Sequence, residues 1–425
     1  MISNKSTQDY LLDTYQEIRS FTEELCQPLE NEDYVIQSME DVSPTKWHIG
    51  HTSWFFETFV LAEEYPEYQP LHPQYNYIFN SYYVSAGQRH CRPKRGLLSR
   101  PTVQEVYDYR AHVDQHMLAL IEGLDEERQN RWLPVLEIGF NHEQQHQELM
   151  LTDIKHNLSI NPLRPAYHKK AYPQISAQKG SAAEWIGFEE GVYPVGHDGQ
   201  GFAFDNEYPQ HRTFVESFAL SSRLVTNGEY LAFMEDEGYD RHDLWLSEGF
   251  GWVQRQEWKA PLYWEQRDGE WWVQTLYGLQ RVNEQEPVCH VSYYEADAYA
   301  RWAGVRLPTE FEWEIASAEL PLTGNFADSR RYHPEALNGH TQQGILNQMY
   351  GDVWEWTSSH YSPYPGYSSA EGALGEYNGK FMANQFVLRG GSCATTQSHI
   401  RPTYRNFFPA DASWQFTGIR TAKNQ

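Results

Sequence analysis

Residues 132–158, WLPVLEIGFNHEQQHQELMLTDIKHNL, decide the fold of the first part of the chain. Their apolar residues recur at intervals of three and four, which is the period of an amphipathic helix. Three earlier stretches repeat this period: DYLLDTYQEIRSFTEELC (9–26), HTSWFFETFVLAEEY (51–65) and VQEVYDYRAHVDQHMLALIEGL (103–124). Long helices in succession predict a helical bundle that ends near Leu158.

The quoted helix carries two histidines with the spacing of metal ligands. His142 and His146 are four residues apart, so both imidazoles project from one helix face. Such a pair is weak evidence by itself, because it also arises by coincidence on a polar face. The block KWHIGHTSWFFE offers a third imidazole, from His48 or His51, which a bundle core can bring against the fourth helix. Three neutral histidines suit a catalytic Zn²⁺ or Fe²⁺ equally well on ligand type.

The second half of the chain has a different pattern. Helical periodicity appears only in short stretches such as NGEYLAFMEDEGY, YYEADAYARWAG and TEFEWEIASA, while Gly, Trp and turn dipeptides dominate. This predicts an irregular α+β domain. A segment rich in Pro, Lys and small residues at 161–184 is the expected linker, so the domains are predicted at 1–160 and 185–425. A chain of 425 residues agrees with two domains.

Composition excludes several classes of protein. The formal charge of −25 repels the phosphates of nucleic acids and anionic lipids. No stretch approaches the ~18 apolar residues that a membrane span requires, and the N-terminus lacks the apolar region of a signal peptide. The 4 cysteines are widely spaced without a CxxC pair, which predicts free thiols and a cytoplasmic location. A homo-oligomer is compatible with all of these features.

Two sets of motifs resemble a known family. In the first half, KWHIGHTSWFFE, FNSYY, RPKRGLLSRPTV and NHEQQHQELML resemble the DinB-like helical domain of the ergothioneine sulfoxide synthases. In the second half, PVCHVSYYEADAYARWAGVRLPTEFEWEIA, GDVWEWT and VLRGGSCATTQSHIRPTYRNFFP resemble the C-type-lectin-like fold of formylglycine-generating enzymes. The resemblance implies an α+β multidomain protein, in which a DinB-like four-helix bundle precedes a formylglycine-generating-enzyme-like domain that completes the substrate pocket.

The resemblance also implies a metal and a reaction. In the family, histidines at the positions of His51, His142 and His146 bind Fe(II), which leaves His48 a structural role. The iron centre uses O₂ to join a thiol to C2 of Nα-trimethylhistidine (hercynine) and to oxidise the sulfur to a sulfoxide. Glu148 lies about 200° around the helix from His146, so we interpret it as a hydrogen-bonding group outside the ligand set.

Resemblance assigns the remaining substrate contacts. Gln145 is expected to hydrogen-bond the imidazole of trimethylhistidine. Asn406 is expected to contact the quaternary ammonium, with Phe407 and Phe408 as cation–π walls, although ordinary packing is the alternative for the two rings. Tyr83 is expected to be a proton donor with Tyr82 beside it, and a packed loop tyrosine is the alternative.

The thiol substrate carries a carboxylate that needs a cation. Arg92 and Arg95 lie three apart in HCRPKRG and suit charge-assisted hydrogen bonds to a carboxylate, while a solvated basic loop is the alternative. Family members take either cysteine or γ-glutamylcysteine. The tyrosine pair of FNSYY and the form YRNFFP are similar to the cysteine-using group, so cysteine is the expected substrate.

Several other functions are alternatives for a chain with these motifs. A copper-dependent formylglycine-generating enzyme needs two cysteines shortly after GGS, where this chain has Thr395 and Ile400, with Cys393 out of register. A non-catalytic lectin-like binding module would hold no metal. An ovothiol-type synthase commonly carries a fused methyltransferase, for which we expect no room, whereas a selenoneine-type synthase with a selenium donor stays open.

Overall fold

The computed structural model describes residues 6–170, 172, 182–337, 344–369, 375 and 378–425. The chain forms two compact units. The first comprises Met1–Pro162 and Ala370–Tyr377, and the second comprises Leu163–Ser369 and Asn378–Gln425.

The first unit is built on the four long helices that the sequence predicts. These are α1 (Thr7–Cys26), α2 (Thr45–Phe56), α5 (Val103–Glu122) and α6 (Glu126–Ser159); two short helices, α3 (Ala62–Glu64) and α4 (Tyr75–Phe79), lie between α2 and α5. A π-helical turn, Glu57–Leu61, joins α2 to α3. The predicted helical bundle is therefore confirmed.

Helix α6 begins six residues earlier than the quoted stretch. The Asp125 side chain accepts a hydrogen bond from the Arg128 backbone N–H, which satisfies one of the free donors at the helix start. Its 34 residues span about 50 Å at the α-helical rise, so one helix carries both predicted metal ligands and a long buried face beyond them.

The second unit has the predicted α+β character. Its helices are α7 (Asn227–Glu235), α8 (Ser247–Gln256), α9 (Tyr293–Trp302) and α10 (Glu310–Ser317). Its strands are β1 (Trp185–Phe188), β2 (Gly191–Val195), β3 (His211–Val215), β4 (Phe218–Ser221), β5 (Trp264–Arg267), β6 (Glu270–Thr275), β7 (Gly278–Arg281), β8 (Trp354–His360), β9 (Gln385–Arg389), β10 (Asn406–Pro409), β11 (Thr417–Gly418) and β12 (Ala422–Asn424).

These strands form small sheets. The largest has the order β10-β9-β8-β11, in which β11 pairs parallel to β8 and the other pairs are antiparallel. Buried ion pairs hold this sheet to α10, because Arg389 of β9 contacts Glu310 at 3.0 Å and Glu314 at 2.8 Å. The sheet places YRNFFP, the block expected to meet the quaternary ammonium, on an edge strand.

The predicted linker at 161–184 is partly packed. Positions 171 and 173–181 lie outside the described residues. Before them, Tyr167 is buried, and the His168 backbone N–H donates to the Leu276 carbonyl at 2.8 Å within the second unit. The second unit therefore begins at Leu163, inside the segment expected to be a linker. Among the helices of the described residues, none combines the length and apolarity required to cross a bilayer.

Candidate metal centre

Helices α2 and α6 approach closely where they carry histidines. Every residue of α2 is buried. A Cβ atom on Gly139 of α6 would lie 2.5 Å from the Phe56 ring, and one on Gly50 of α2 would lie 2.1 Å from the Phe79 ring. Glycine at 139 lets Phe56 of α2 pack against the backbone of α6, which brings the two histidine-bearing helices together. Glycine at 50 lets Phe79 of α4 pack against the backbone of α2.

Three imidazoles converge between these helices. The possible ligand atoms of His51, His142 and His146 all lie within 4.8 Å of one another, and all three side chains are buried. His51 Nε2 lies 3.1 Å from His142 Nε2. No other group of three or more such ligands was found in the described part of the chain. Of the two candidates on α2, His51 therefore joins the pair on α6.

The environment keeps these imidazoles neutral. Burial lowers the pKa of His142 to about 3 and holds the pKa values of His51 and His146 well below their ordinary range. Neighbouring imidazoles lower the pKa values of His51 and His146 further. Because a metal binds the lone pair of the neutral ring, the three residues fit a divalent ion with nitrogen ligands.

Other groups orient two of the imidazoles. His51 Nδ1 lies 2.6 Å from the Phe79 carbonyl, so this nitrogen donates its hydrogen and Nε2 keeps the lone pair. The His51 ring stacks on the indoles of Trp47 and Trp54, at centroid distances of 4.6 Å and 5.3 Å. His48 Nδ1 lies 2.8 Å from His146 Nδ1, which agrees with a structural role for His48.

An ion network fixes α6 beside His142. Glu143 is fully buried and contacts Arg19 of α1 at 2.9 Å and Arg110 of α5 at 2.8 Å. Burial alone would raise the pKa of Glu143, but the two guanidinium groups outweigh it and lower the pKa to about 2. Three helices are thus tied together one residue after a candidate ligand. Helical periodicity alone does not predict this role of Glu143, although an acidic residue between the two histidines of the NHEQQHQE block is a signal for it.

Arg92 and Arg95 differ in their surroundings. Both lie in a 3₁₀ turn, Arg92–Leu97, where Arg92 is exposed and donates to the Asp41 carbonyl. Arg95 is 3% exposed, its guanidinium carbon lies 3.3 Å from the centroid of the Trp47 ring, and Nη1 donates to Ser43 Oγ at 2.9 Å. Burial, followed by the like charge of Arg92, lowers the pKa of Arg95.

Arg95 is a buried cation without a carboxylate partner among the described residues. Its Nε is buried and makes no hydrogen bond there. The Trp47 indole that it covers stacks on the His51 ring, so the positive charge lies one ring away from the metal ligands. Asp153 attracts the guanidinium from beyond ion-pair distance and partly offsets the lowering of its pKa, so a directly contacting anion would still stabilise the charge. The alternative of a solvated basic loop stays open for the exposed Arg92.

The two tyrosines of FNSYY also differ in burial. Tyr83 is fully buried, and its ring contacts Trp54 at 5.5 Å and Phe59 at 5.1 Å. Tyr82 is half-buried and stacks on Tyr83 at 4.6 Å. The ring contacts lead from His51 through Trp54 to Tyr83, which places the pair in the aromatic layer next to the histidines.

The other α6 residues of the predicted site lie where helix geometry puts them. Gln145 is half-buried and directly precedes His146, three positions after His142, so it borders the ligand face. Glu148 is 7% exposed. Two residues after His146, it points away from the ligand face, as expected for a group outside the ligand set.

Strand geometry separates the two phenylalanines of YRNFFP. Asn406, Phe407 and Phe408 are successive residues of β10, paired with Leu388, Val387 and Phe386 of β9. Successive side chains of a strand point to opposite faces, so Asn406 and Phe408 share one face and Phe407 takes the other. Phe407 stacks on Tyr361 at 4.0 Å, which is the packing alternative. The two rings therefore lie on opposite faces of β10, and a wall of both rings beside Asn406 stays a prediction.

Comparison with known protein families agrees with both units. The DinB superfamily model matches residues 14–150, and the model of the sulfatase-modifying factor enzyme 1-like domain matches residues 171–345 and 339–425.

Individual relatives match most of the chain. The hercynine oxygenase of Mycolicibacterium smegmatis is 31% identical over 412 residues, which cover 90% of this chain and 91% of that protein. The chain belongs to the hercynine oxygenase family. The hercynine oxygenase of Mycobacterium tuberculosis is 32% identical, with 90% and 91% covered. Ergothioneine biosynthesis protein 1 of Schizosaccharomyces pombe is 30% identical over 236 residues, which cover 52% of this chain and 28% of that protein.

Membership in the hercynine oxygenases makes the chain an oxidoreductase. The structure also bears on the copper alternative. The positions after GGS hold Thr395, which is fully buried with Oγ1 accepting from the Ser392 N–H at 2.8 Å, and Ile400, which is 3% exposed. Neither side chain offers a thiolate, so the copper chemistry of formylglycine-generating enzymes has no ligands at these positions.

Proposed function

We propose that the protein is a non-haem Fe(II) sulfoxide synthase that uses O₂ to join cysteine to C2 of hercynine. The observation that carries the proposal is the convergence of three buried, neutral imidazoles beside a buried cation. Hercynine loses the hydrogen on C2 and cysteine loses its S–H hydrogen as the C–S bond forms. One oxygen atom of O₂ becomes the sulfoxide oxygen, and the other leaves as water with the two hydrogens. The four electrons come from the two substrates.

His51, His142 and His146 are the proposed ligands. Three protein nitrogens leave coordination positions open, and a bound Fe(II) would supply the redox chemistry for O₂ at those positions. The chain's contribution is to keep the imidazoles neutral, to aim His51 Nε2 through the Phe79 carbonyl, and to hold α6 in place through Glu143. The buried neutral triad also argues against a non-catalytic lectin-like module, which has no need of it.

Arg95 is the proposed anchor of the thiol substrate. Its guanidinium lacks a carboxylate partner among the described residues and lies one indole away from His51. A substrate carboxylate would neutralise this charge and would fix the thiol relative to the histidines. Arg92, three residues earlier and exposed, would add a weaker, solvent-screened attraction.

Each unit offers proposed contacts for hercynine. Gln145 is the proposed hydrogen-bond partner of the imidazole, because it borders the ligand face of α6. Asn406 and Phe408, which share a face of β10, are the proposed contacts of the quaternary ammonium. Phe407 is left out of the ligand contacts because it stacks on Tyr361.

The tyrosine pair is the proposed source of a proton during coupling. A phenol that donates in the transition state typically contributes ~10²–10⁴ in rate. Tyr83 is assigned this role, with the half-buried Tyr82 stacked on it. The phenol would act on the O₂-derived oxygen, and the aromatic layer of Trp54 and Phe59 would exclude water around it.

Anaerobic reconstitution tests the function. The metal-free protein would be loaded with Fe²⁺ and then exposed to O₂ with hercynine and either cysteine, γ-glutamylcysteine or a selenium donor. Mass spectrometry should find the product of hercynine plus cysteine plus O₂ minus water. His142→Ala should abolish both iron binding and product. His156→Gln, on the same helix and half-buried, should keep both. Tight binding of Zn²⁺ with no product from any donor would contradict the proposal.

A further inference from the structure

A buried chain of polar contacts lies behind His146. His146 Nδ1 is 2.8 Å from His48 Nδ1, and His48 Nε2 is 2.9 Å from Asp153 Oδ2. His48 is 2% exposed and Asp153 is 3% exposed. The Ser43 backbone N–H donates to the same carboxylate oxygen at 2.8 Å. A carboxylate is thus fixed two hydrogen bonds away from a metal ligand.

Helix geometry explains how these residues meet. Asp153 follows His146 by seven residues, which is about two turns, so both side chains project from the same face of α6. Their Cα atoms are about 10 Å apart along that axis, too far for a direct contact. His48 comes from α2, one turn before His51, and its ring fills the gap between them. The same two helices that supply the ligands therefore supply the contact.

The positions of the hydrogens follow from the acceptors. An ionised carboxylate only accepts, so His48 Nε2 donates to Asp153. One hydrogen lies between the two Nδ1 atoms, and it belongs to one ring. If it sits on His146, then His146 Nε2 carries a lone pair and can bind a metal. If it sat on His48, a neutral His146 would carry its hydrogen on Nε2 and could not bind. Metal binding therefore requires that His48 accepts.

The ligands are supported unequally. His51 donates to a backbone carbonyl, which is a neutral acceptor. In the tautomer that can bind a metal, His146 donates to an imidazole that is itself bonded to a carboxylate. A negatively charged partner behind a ligating imidazole increases its electron donation to the metal. His146 is therefore the stronger donor of these two.

We propose that Asp153 and His48 are a positioning pair that sets the tautomer of His146 and strengthens its bond to the metal. The inference rests on the proposed three-histidine centre. Neither residue touches a substrate in this role. Both act through the ligand, with Ser43 holding the carboxylate in place.

Binding of Co²⁺ alone tests the pair without reference to catalysis. Outer-shell changes typically cost 10–100-fold in metal affinity. Asp153→Asn keeps an oxygen that accepts from His48 but removes the charge, so we expect Co²⁺ to bind ~10-fold more weakly in calorimetric titration. His48→Ala removes the acceptor of His146, so we expect Co²⁺ to bind ~100-fold more weakly. His48→Asn places an amide near the Nδ1 position and should recover part of that loss.

Paramagnetic proton NMR of the Co²⁺ protein gives a second readout. The exchangeable Nδ1–H resonance of His146 should shift in Asp153→Asn and should exchange with solvent in His48→Ala. The corresponding His51 resonance should stay in place. If Asp153 had only a structural role, its substitution would shift the His146 and His51 resonances together or would shift neither of them.

The controls separate this inference from the proposed function. His156→Gln, three residues after Asp153 on α6, should keep the wild-type affinity for Co²⁺. Wild-type affinity and an unmoved His146 resonance in both Asp153→Asn and His48→Ala would overturn the pair and leave the metal centre intact. Retention of wild-type affinity in His146→Ala would overturn the metal centre itself, and the pair with it. If His48→Ala does not fold, Asp153→Asn decides the question alone.

Discussion

Replacing Arg95 by methionine tests whether a substrate anion binds beside the histidines. Arg95 is 3% exposed, its guanidinium carbon lies 3.3 Å from the centroid of the Trp47 ring, and Nη1 donates to Ser43 Oγ at 2.9 Å. No carboxylate of the described residues forms an ion pair with it, and its Nε makes no hydrogen bond there. Methionine fills a similar volume without the charge. The substitution therefore removes the proposed anion contact and leaves most of the packing.

The expected loss of activity follows from the type of contact. Hydrogen bonds to charged groups contribute about 1.5–3 kcal/mol, which corresponds to a ~10–150-fold lower kcat/KM for cysteine. Because the contact is made only to the thiol substrate, its KM should rise while the KM for hercynine changes little. Arg92→Met, at the exposed neighbour, should have a smaller effect that weakens further with added salt.

The stability of Arg95→Met should not fall together with its activity. Loss of the hydrogen bond to Ser43 costs about 1 kcal/mol, and removal of a buried charge that only the more distant Asp153 attracts offsets it. The free energy of unfolding of Arg95→Met should therefore stay within about 1 kcal/mol of wild type or exceed it. Arg110 is the matched control, since it is fully buried and paired with Glu143 at 2.8 Å. Arg110→Met should lose about 3–5 kcal/mol because it leaves Glu143 with one partner fewer.

Urea unfolding of the metal-free variants and steady-state kinetics with both substrates measure these effects. The reasoning is refuted if Arg95→Met loses as much stability as Arg110→Met while the KM for cysteine is unchanged. In that case Arg95 is a structural residue and the anion binds elsewhere.

Three further predictions concern the remaining site residues. Burial lowers the pKa of His142 from 6.5 to about 3, so the unfolded chain binds a proton below pH 6.5 that the folded metal-free protein binds only near pH 3. Its free energy of unfolding should fall on acidification through this window, and His142→Gln should reduce the slope by ~1.4 kcal/mol per pH unit in urea titrations. Asn406→Ala should raise the KM for hercynine more than the KM for cysteine, and equal effects would place Asn406 outside the hercynine contacts. Tyr83→Phe should slow sulfoxide formation and increase cysteine sulfinic acid, with iron content unchanged. An unaltered product ratio, together with a changed one in Tyr82→Phe, would move the proton donor to Tyr82.

Much of the site followed from local periodicity. Four-residue spacing on a helix puts His142 and His146 on one face in any fold that keeps the helix, and the structure has them there. Glu148 was placed off that face by the same argument. The choice of His51 came from resemblance, because His48 and His51 are one turn apart on α2 and both could face α6. In the structure both do face α6, and their positions along α2 decide it: His51 lies beside His142, whereas His48 lies between His146 and Asp153.

The sequence by itself determined the two kinds of domain, the helical period and the residue types of the candidate site. Tertiary structure decided which neighbours are buried and which way they point. The sequence spacing does not distinguish Arg92 from Arg95, yet only Arg95 packs on Trp47. Phe407 and Phe408 are adjacent and identical in the sequence, yet the alternation of side chains along β10 points them to opposite faces of the strand. The pairing of His48 with Asp153 joins residues 105 apart, and no local pattern encodes such a contact, because it exists only when two helices pack.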